Sequence, residues 1–142
     1  FYWDVLKLIE DEYDKVAKEY PKSKKVIFGH SLGGEIGLIF SFKREVDCLI
    51  TAGAPISYFS IRFPNFGKFP ESTLHQWHNF RYRQDVVARG GCKKNPNFNK
   101  ANVKDVVLSN WNPLTLTPIR SHLKYFNDSS LHKSIAETLK KL

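Results

Sequence analysis

The chain has 142 residues, enough for one domain and too few for two ordinary ones. Hydrophobic residues make up 42% and charged residues 25%, an ordinary globular balance that argues against disorder. The formal net charge is +8, but Lys22, Lys24 and Lys25, Lys93 and Lys94, and Lys140 and Lys141 are scattered with no arginine-rich stripe, which reads as a solvated basic surface and not a nucleic-acid site.

No run of about 18 apolar residues is present, so no transmembrane helix is expected. Two cysteines make no disulfide framework, and no Cys/His cluster has zinc-ligand spacing, so no metal is expected. The sequence contains no methionine and opens Phe1-Tyr2-Trp3-Asp4, which points to a piece of something longer or a processed product.

Residues 2–19 read as a helix, with Tyr2, Val5, Leu6, Ile9, Tyr13, Val16 and Ala17 at three- and four-residue spacing. Pro21 stops it. Lys24 to Phe28 is a short apolar run with a β-branched pair, expected as a strand buried on both faces. Gly29-His30-Ser31-Leu32-Gly33-Gly34 follows, and a helical stretch runs from Leu32 to about Arg44. Val46 to Ala52 is a second apolar strand, ended by Gly53-Ala54-Pro55. This order predicts an α/β fold, a mostly parallel sheet with flanking helices.

Residues 56–76 lose any clean period. Phe59, Phe63, Phe66 and Phe69 are interleaved with Pro64, Gly67 and Pro70, a long excursion with one short helix. Trp77 to Val87 returns to strand character, 90–102 is a polar loop, and Val103 to Leu108 is a short strand. Another loop carries Pro113 and Pro118 to Ser121-His122. The last helix runs from about Ser129 to Lys141, with Asn127, Asp128 or Ser129 as its cap. Its stripe of Leu131, Ile135, Leu139 and Leu142 is expected to face the core.

The strongest chemical signal is Gly29-His30-Ser31-Leu32-Gly33 between a strand and a helix. A serine hydroxyl is a weak nucleophile and must be presented clear of its neighbours. A sharp strand-to-helix turn does this but crowds the backbone on either side, and glycine at 29 and 33 is expected to relieve the crowding. The turn points the Leu32 amide toward a reacting carbonyl, and the helix start adds positive potential for a developing oxyanion. His30 sits inside the turn, poorly placed to reach its neighbour Ser31.

With these residues in this context, the chain resembles the α/β-hydrolase superfamily, in particular its lipases and esterases. The resemblance implies a triad in chain order Ser, acid, His. Asp85, in Gln84-Asp85-Val86-Val87 after the strand His78 to Arg83, matches the acid. His122, in Ser121-His122-Leu123-Lys124-Tyr125-Phe126 on a loop before the last helix, matches the base. Ser31 is then the nucleophile, His122 takes its proton, Asp85 fixes the imidazole tautomer, and Leu32 supplies an oxyanion donor. The implied substrate is a small-molecule or lipid ester, with no metal or organic cofactor. A thioester or amide is the alternative within the same fold, and a catalytically inactive hydrolase-like binding module is the alternative outside it.

Other residues compete for these roles. Asp105 opens a late strand and is a replacement acid. Asp47 is expected at the wrong end of the sheet and Asp128 as a helix cap. His75, His78 and His132 read as ordinary polar residues. Phe59, Phe63, Phe66 and Phe69 either line an acyl-binding or lid region over 56–76 or fold back onto the core, and the sequence leaves both open. Cys48 is expected as a buried small hydrophobe and Cys92 as a loop residue, unbridged.

The resemblance covers nearly the whole chain but only the C-terminal half of the fold. One helix precedes the strand before Ser31, and the loop that usually gives the second oxyanion donor is missing. Such a loss costs about 3–4 kcal/mol in the transition state. A single truncated domain over 1–142 leaves a sheet edge unpaired beside that strand, a place for self-association or a completing partner.

Overall fold

Period-two alternation of apolar residues lets a strand present one row of side chains to each face of a sheet. The computed structural model describes residues 1–66, 69–70, 72–92, 95–98, 103–108 and 117–142. It pairs β1 (Val26–His30), β2 (Val46–Ala52), β3 (Leu74–Tyr82) and β4 (Val103–Leu108) in that order, all parallel. Helices α1 (Tyr2–Glu19), α2 (Leu32–Ser41), α3 (Phe59–Arg62), α4 (Pro118–Leu123) and α5 (Ser129–Leu139) flank the sheet. The expected α/β fold is present. Residues 93–94 and 99–102 of the expected polar loop lie outside the described residues. So do the Pro113 segment (109–116) and residues 67, 68 and 71 of the excursion.

The alternation divides the core. Leu49 and Trp77 meet Leu6, Ile36, Phe40 and Phe59 from α1, α2 and α3 in one cluster. Cys48, Ile50, Ala52, Phe80, Tyr82 and Leu108 meet Tyr125 and Leu131 in the other. Each fully buried side chain of this size contributes about 1.5–3 kcal/mol. A polar row interrupts the first cluster. Thr51, Asn79 and Asp105 stand side by side in the strand register. Thr51 donates to Asn79 at 2.7 Å, and Asn79 donates to Asp105 at 2.7 Å. Trp77 donates to the Thr51 hydroxyl at 2.9 Å, so that oxygen too is satisfied in the interior.

Four boundaries differ from the sequence expectation, each for a local reason. β1 runs on through Gly29 and His30, which pair with Thr51 and Ala52. It is also not buried on both faces: Val26 is 36% and Phe28 45% exposed, because β1 is the edge of the sheet. β3 begins at Leu74, in register with Val46, and ends at Tyr82. There Asp85 takes the Val87 and Ala88 amides at 2.9 and 3.3 Å and folds the chain into a turn. α2 stops at Ser41, where the Phe42 and Lys43 amides fall back on Ile39 and Phe40 carbonyls.

His122 lies on a short helix and not on a loop. Thr117 caps α4 by accepting from the Arg120 amide at 3.3 Å, and Pro118 occupies its first turn. In α5, Leu131 is buried and Ile135 packs against the second cluster, as does Leu142 beyond the helix, whereas Leu139 is exposed. Among the described residues, no helix is long and apolar enough to cross a membrane.

Asp128 is the cap of α5. One carboxylate oxygen takes the Ser130 and Leu131 amides at 2.7 and 3.0 Å. The other accepts from the Tyr82 hydroxyl, tying the helix start to β3. Burial alone would raise this carboxyl, but hydrogen bonds from the Ser130 and Tyr82 hydroxyls and the two amides outweigh it and hold it at about 2. Asp128→Ala is therefore expected to cost about 1–2 kcal/mol in urea unfolding at neutral pH. The folded value lies below the ordinary 3.8, so this contribution is present above that pH and is lost as pH falls toward about 2. The stability gap between wild type and variant should narrow over that window.

Candidate active site

The turn from β1 into α2 has to leave the sheet within one residue. The Ser31 amide still donates to the Ala52 carbonyl at 3.0 Å, while the Ser31 carbonyl already accepts from the Gly34 amide at 3.0 Å. Ser31 makes the change at φ 54° and ψ −128°. Among the described residues it is the only one other than glycine with positive φ. A conformation of this kind costs about 1–3 kcal/mol and persists only where its surroundings enforce it.

Glycines make the turn possible, though not the pair expected. A Cβ at Gly29 would meet the Gly33 carbonyl oxygen at 2.5 Å and the Gly34 Cα at 2.7 Å. A Cβ at Gly34 would meet the Ala54 Cβ at 2.6 Å. At Gly33 a Cβ would meet nothing within 4 Å. The expectation that residue 33 relieves the crowding is thus corrected to residue 34. The reason is that the start of α2 rests on β1 and the end of β2 through residues 29 and 34, with residue 33 facing outward.

The structure brings Ser31, His122 and Asp85 into one hydrogen-bonded chain. Ser31 Oγ is 2.9 Å from His122 Nε2, and His122 Nδ1 is 3.0 Å from Asp85 Oδ2. A carboxylate only accepts, so Nδ1 carries the ring proton and Nε2 is left to accept from the serine hydroxyl. The Asp85 side chain is fully buried. Its Oδ1 holds the Val87 and Ala88 amides, and its Oδ2 also accepts from the Tyr125 hydroxyl at 2.7 Å. Tyr125 Oη in turn accepts from the Tyr82 amide at 2.9 Å. Burial, above all, pushes the Tyr125 hydroxyl far up, so it stays a proton donor.

Two further residues shape this junction. Gly53, at φ 63°, directly follows β2 beneath it. A Cβ there would come within 2.6 Å of the Tyr125 ring, 3.1 Å of Asp85 Oδ2 and 3.2 Å of His122 Nδ1. His30 Nε2 is 2.9 Å from the His122 carbonyl, to which it donates, and the two rings lie 4.9 Å apart. The Leu32 amide is at the first position of α2, where a helix offers it no acceptor.

The competing residues are elsewhere. Asp47 takes the Lys25 amide at 2.8 Å and the Lys24 ammonium at 3.0 Å, at the start of β2 and the opposite end of the sheet. Asp105 is engaged by Asn79 and by Arg81 at 3.2 Å. His75 pairs with Glu45 at 3.1 Å, His78 faces Thr138 at 3.4 Å, and His132 lies exposed on α5. Both cysteines are buried and unbridged, and burial pushes the Cys48 thiol up to about 11. Among the described residues, no group of three or more His, Cys, Asp or Glu is placed to hold a metal ion.

The aromatic excursion packs onto the core. Phe59 is fully buried against Phe63 and Phe98 at 5.2 and 5.6 Å. Phe63 meets Tyr2 at 5.2 Å, Phe66 meets Phe42 at 5.1 Å and Phe69 meets Trp77 at 6.2 Å. Arg62 reaches the buried Glu35 of α2 at 3.2 Å, fastening α3 down. Of the two roles left open for these rings, packing is the one the structure gives them.

Tyr125, Gly53 and Gly34 are the parts that sequence reasoning missed, together with the contact of His30, already placed in the turn, with the His122 carbonyl. Tyr125 had a usable signal, since three residues along a helical segment from His122 puts it on the same side. Gly53 had a weaker one, a glycine directly after a strand. No protein-family model, curated protein or solved structure matches this chain.

Three stability measurements check this geometry. Ser31→Gly should be about 1 kcal/mol more stable than Ser31→Ala, because glycine takes the positive φ without strain. Gly53→Ala should cost about 3 kcal/mol, through both its φ and its clash with Tyr125. Gly33→Ala, with open space around it, should change stability by less than about 1 kcal/mol.

Proposed function

We propose that this chain carries the catalytic machinery of a serine hydrolase of the α/β-hydrolase type that cleaves carboxylic esters. The observation that carries the reading is the Ser31–His122–Asp85 chain, with contacts of 2.9 and 3.0 Å, set on a strained strand-to-helix turn. A positive φ at a serine is costly, and the gain that accounts for it is a hydroxyl held clear of the sheet beside a base. The lipase- and esterase-like sequence around Ser31 and His122 supports an ester as substrate. The exposed Leu32, Leu123 and Phe126 nearby in sequence add apolar surface suited to an acyl group.

The steps follow from the geometry. Ser31 Oγ attacks the acyl carbon while its proton passes to His122 Nε2. Asp85, accepting from Nδ1, holds the ring in the required tautomer and stabilises the imidazolium as it forms. The carbonyl oxygen, now an oxyanion, meets the Leu32 amide at the start of α2. The tetrahedral species collapses as His122 Nε2 returns the proton to the leaving alcohol. Water then attacks the acyl-enzyme as His122 Nε2 takes its proton, and His122 returns that proton to Ser31 Oγ as the acid leaves.

Intact-mass analysis after treatment with a fluorophosphonate tests the proposal. One adduct is expected on wild type, none on Ser31→Ala and none on His122→Ala within the same exposure. Asp85→Asn should label about 10⁴-fold more slowly, because the wrong tautomer is favoured. A chain that is folded by circular dichroism yet forms no adduct, or a Ser31→Ala chain that still does, overturns it.

A further inference from the structure

A carboxylate that steers an imidazole does so through the electron density on the oxygen facing the ring. Any second donor on that same oxygen competes for the density. Here the second donor is Tyr125, whose hydroxyl is 2.7 Å from Asp85 Oδ2, the oxygen that also faces His122 Nδ1 at 3.0 Å. The hydroxyl has little freedom. It accepts from the Tyr82 amide at 2.9 Å, so its own proton is directed at the carboxylate. The ring is fully buried and lies against Tyr82 of β3, with ring centres 4.8 Å apart and planes tilted by 42°.

We propose that Tyr125 is a positioning residue that tunes His122 as a base, by drawing charge from the Asp85 oxygen that His122 uses. The proposal rests on the hydrolase reading for its rate consequences, but not for its effect on the ring. Groups facing the imidazole come from several elements. Ser31 and the His30 ring come from the end of β1, Asp85 from the turn after β3, and Tyr125 from its own segment. Lys124 lies over the Tyr82 ring at 5.9 Å from its centre, and Arg120 is exposed on α4. Asp85 is the only carboxylate hydrogen-bonded to the His122 ring among the described residues.

The direction follows. Removing the hydroxyl returns charge to Oδ2, and a more negative oxygen beside Nδ1 favours the imidazolium. In Tyr125→Phe the His122 ring should hold its proton to higher pH. The His122 titration midpoint, followed by NMR on ring-labelled chain, should move upward by about one pH unit. The acid limb of the fluorophosphonate labelling rate should move with it. At high pH, where the ring is neutral in both, the two chains should label at similar rates. Trp77→Phe serves as the control for a lost buried donor, since Trp77 donates to Thr51 on the other face of the sheet. It should lower stability and leave both pH profiles in place.

A Tyr125→Phe chain that loses rate equally at every pH, with the His122 midpoint unmoved, overturns the proposal in favour of simple packing. If wild type never labels while the NMR midpoint still moves, the hydrolase reading fails and the tuning stands. A measurement on the unaltered chain needs no folded variant. The Tyr125 hydroxyl proton should be visible far downfield and should shift as His122 titrates, and a hydroxyl resonance indifferent to that titration overturns the coupling.

Discussion

The base side of the candidate site is arranged around one buried carboxyl group, Asp85. Taking a carboxylate out of water costs several kcal/mol unless donors replace the lost solvent. Asp85 has four, and they come from three parts of the chain: the Val87 and Ala88 amides, the His122 ring and the Tyr125 hydroxyl. The turn after β3, the short helix α4 and the segment following it are therefore held at fixed positions by one side chain. Tyr125 passes the constraint on to β3 through the Tyr82 amide. Tyr82 passes it to α5 through the Asp128 cap. The second core cluster and the site share these residues, so packing on that face and geometry at Ser31 are not independent.

The other half of the site is held by strain and not by charge. Ser31 adopts its conformation because β1 continues to pair with β2 up to the Ser31 amide while α2 has already begun. Gly29 and Gly34 permit the close approach of helix and strand. Strain of this sort needs a rigid frame, and here the frame is an edge strand, with Phe28 45% exposed and its ring 6.4 Å from that of Phe126. Its cover on the other face is α1 and α2, with Ile27 packed against the first core cluster.

The glycine-flanked strand-to-helix turn singled out Ser31, the family resemblance, with its chain order Ser, acid, His, pointed to Asp85 and His122, and the structure joins the three. Ser31 lies at a strand-to-helix turn, Asp85 in the turn after β3 and His122 in the last turn of α4. What the pattern missed depends on closeness in space. The burial of β1 was overestimated because an apolar run of Lys24 to Phe28 reads alike at the centre of a sheet and at its edge. Gly33 and Gly34 are adjacent and chemically identical, and only the tilt of α2 on β1 decides which is crowded. The rings at 59, 63, 66 and 69 have no period, so no face could be assigned to them before Tyr2, Phe42 and Trp77 were placed beside them.

The position of Gly53 shows how strand order dictates chemistry. Ser31 follows β1 and Asp85 follows β3, at the same end of a parallel sheet. Two strand spacings separate those ends, about 9–10 Å. Neither side chain spans that gap. An imidazole with a hydrogen bond at each nitrogen does, and His122 supplies it at 2.9 and 3.0 Å. The ring must then pass over the end of the strand between, which is β2. The residue that follows β2 lies directly beneath the bridge, where a Cβ would come within 3.2 Å of His122 Nδ1 and 2.6 Å of the Tyr125 ring. A glycine at 53 is thus a consequence of the order β1-β2-β3. The same sheet that brings Ser31 and Asp85 to one end leaves no room for a side chain between them.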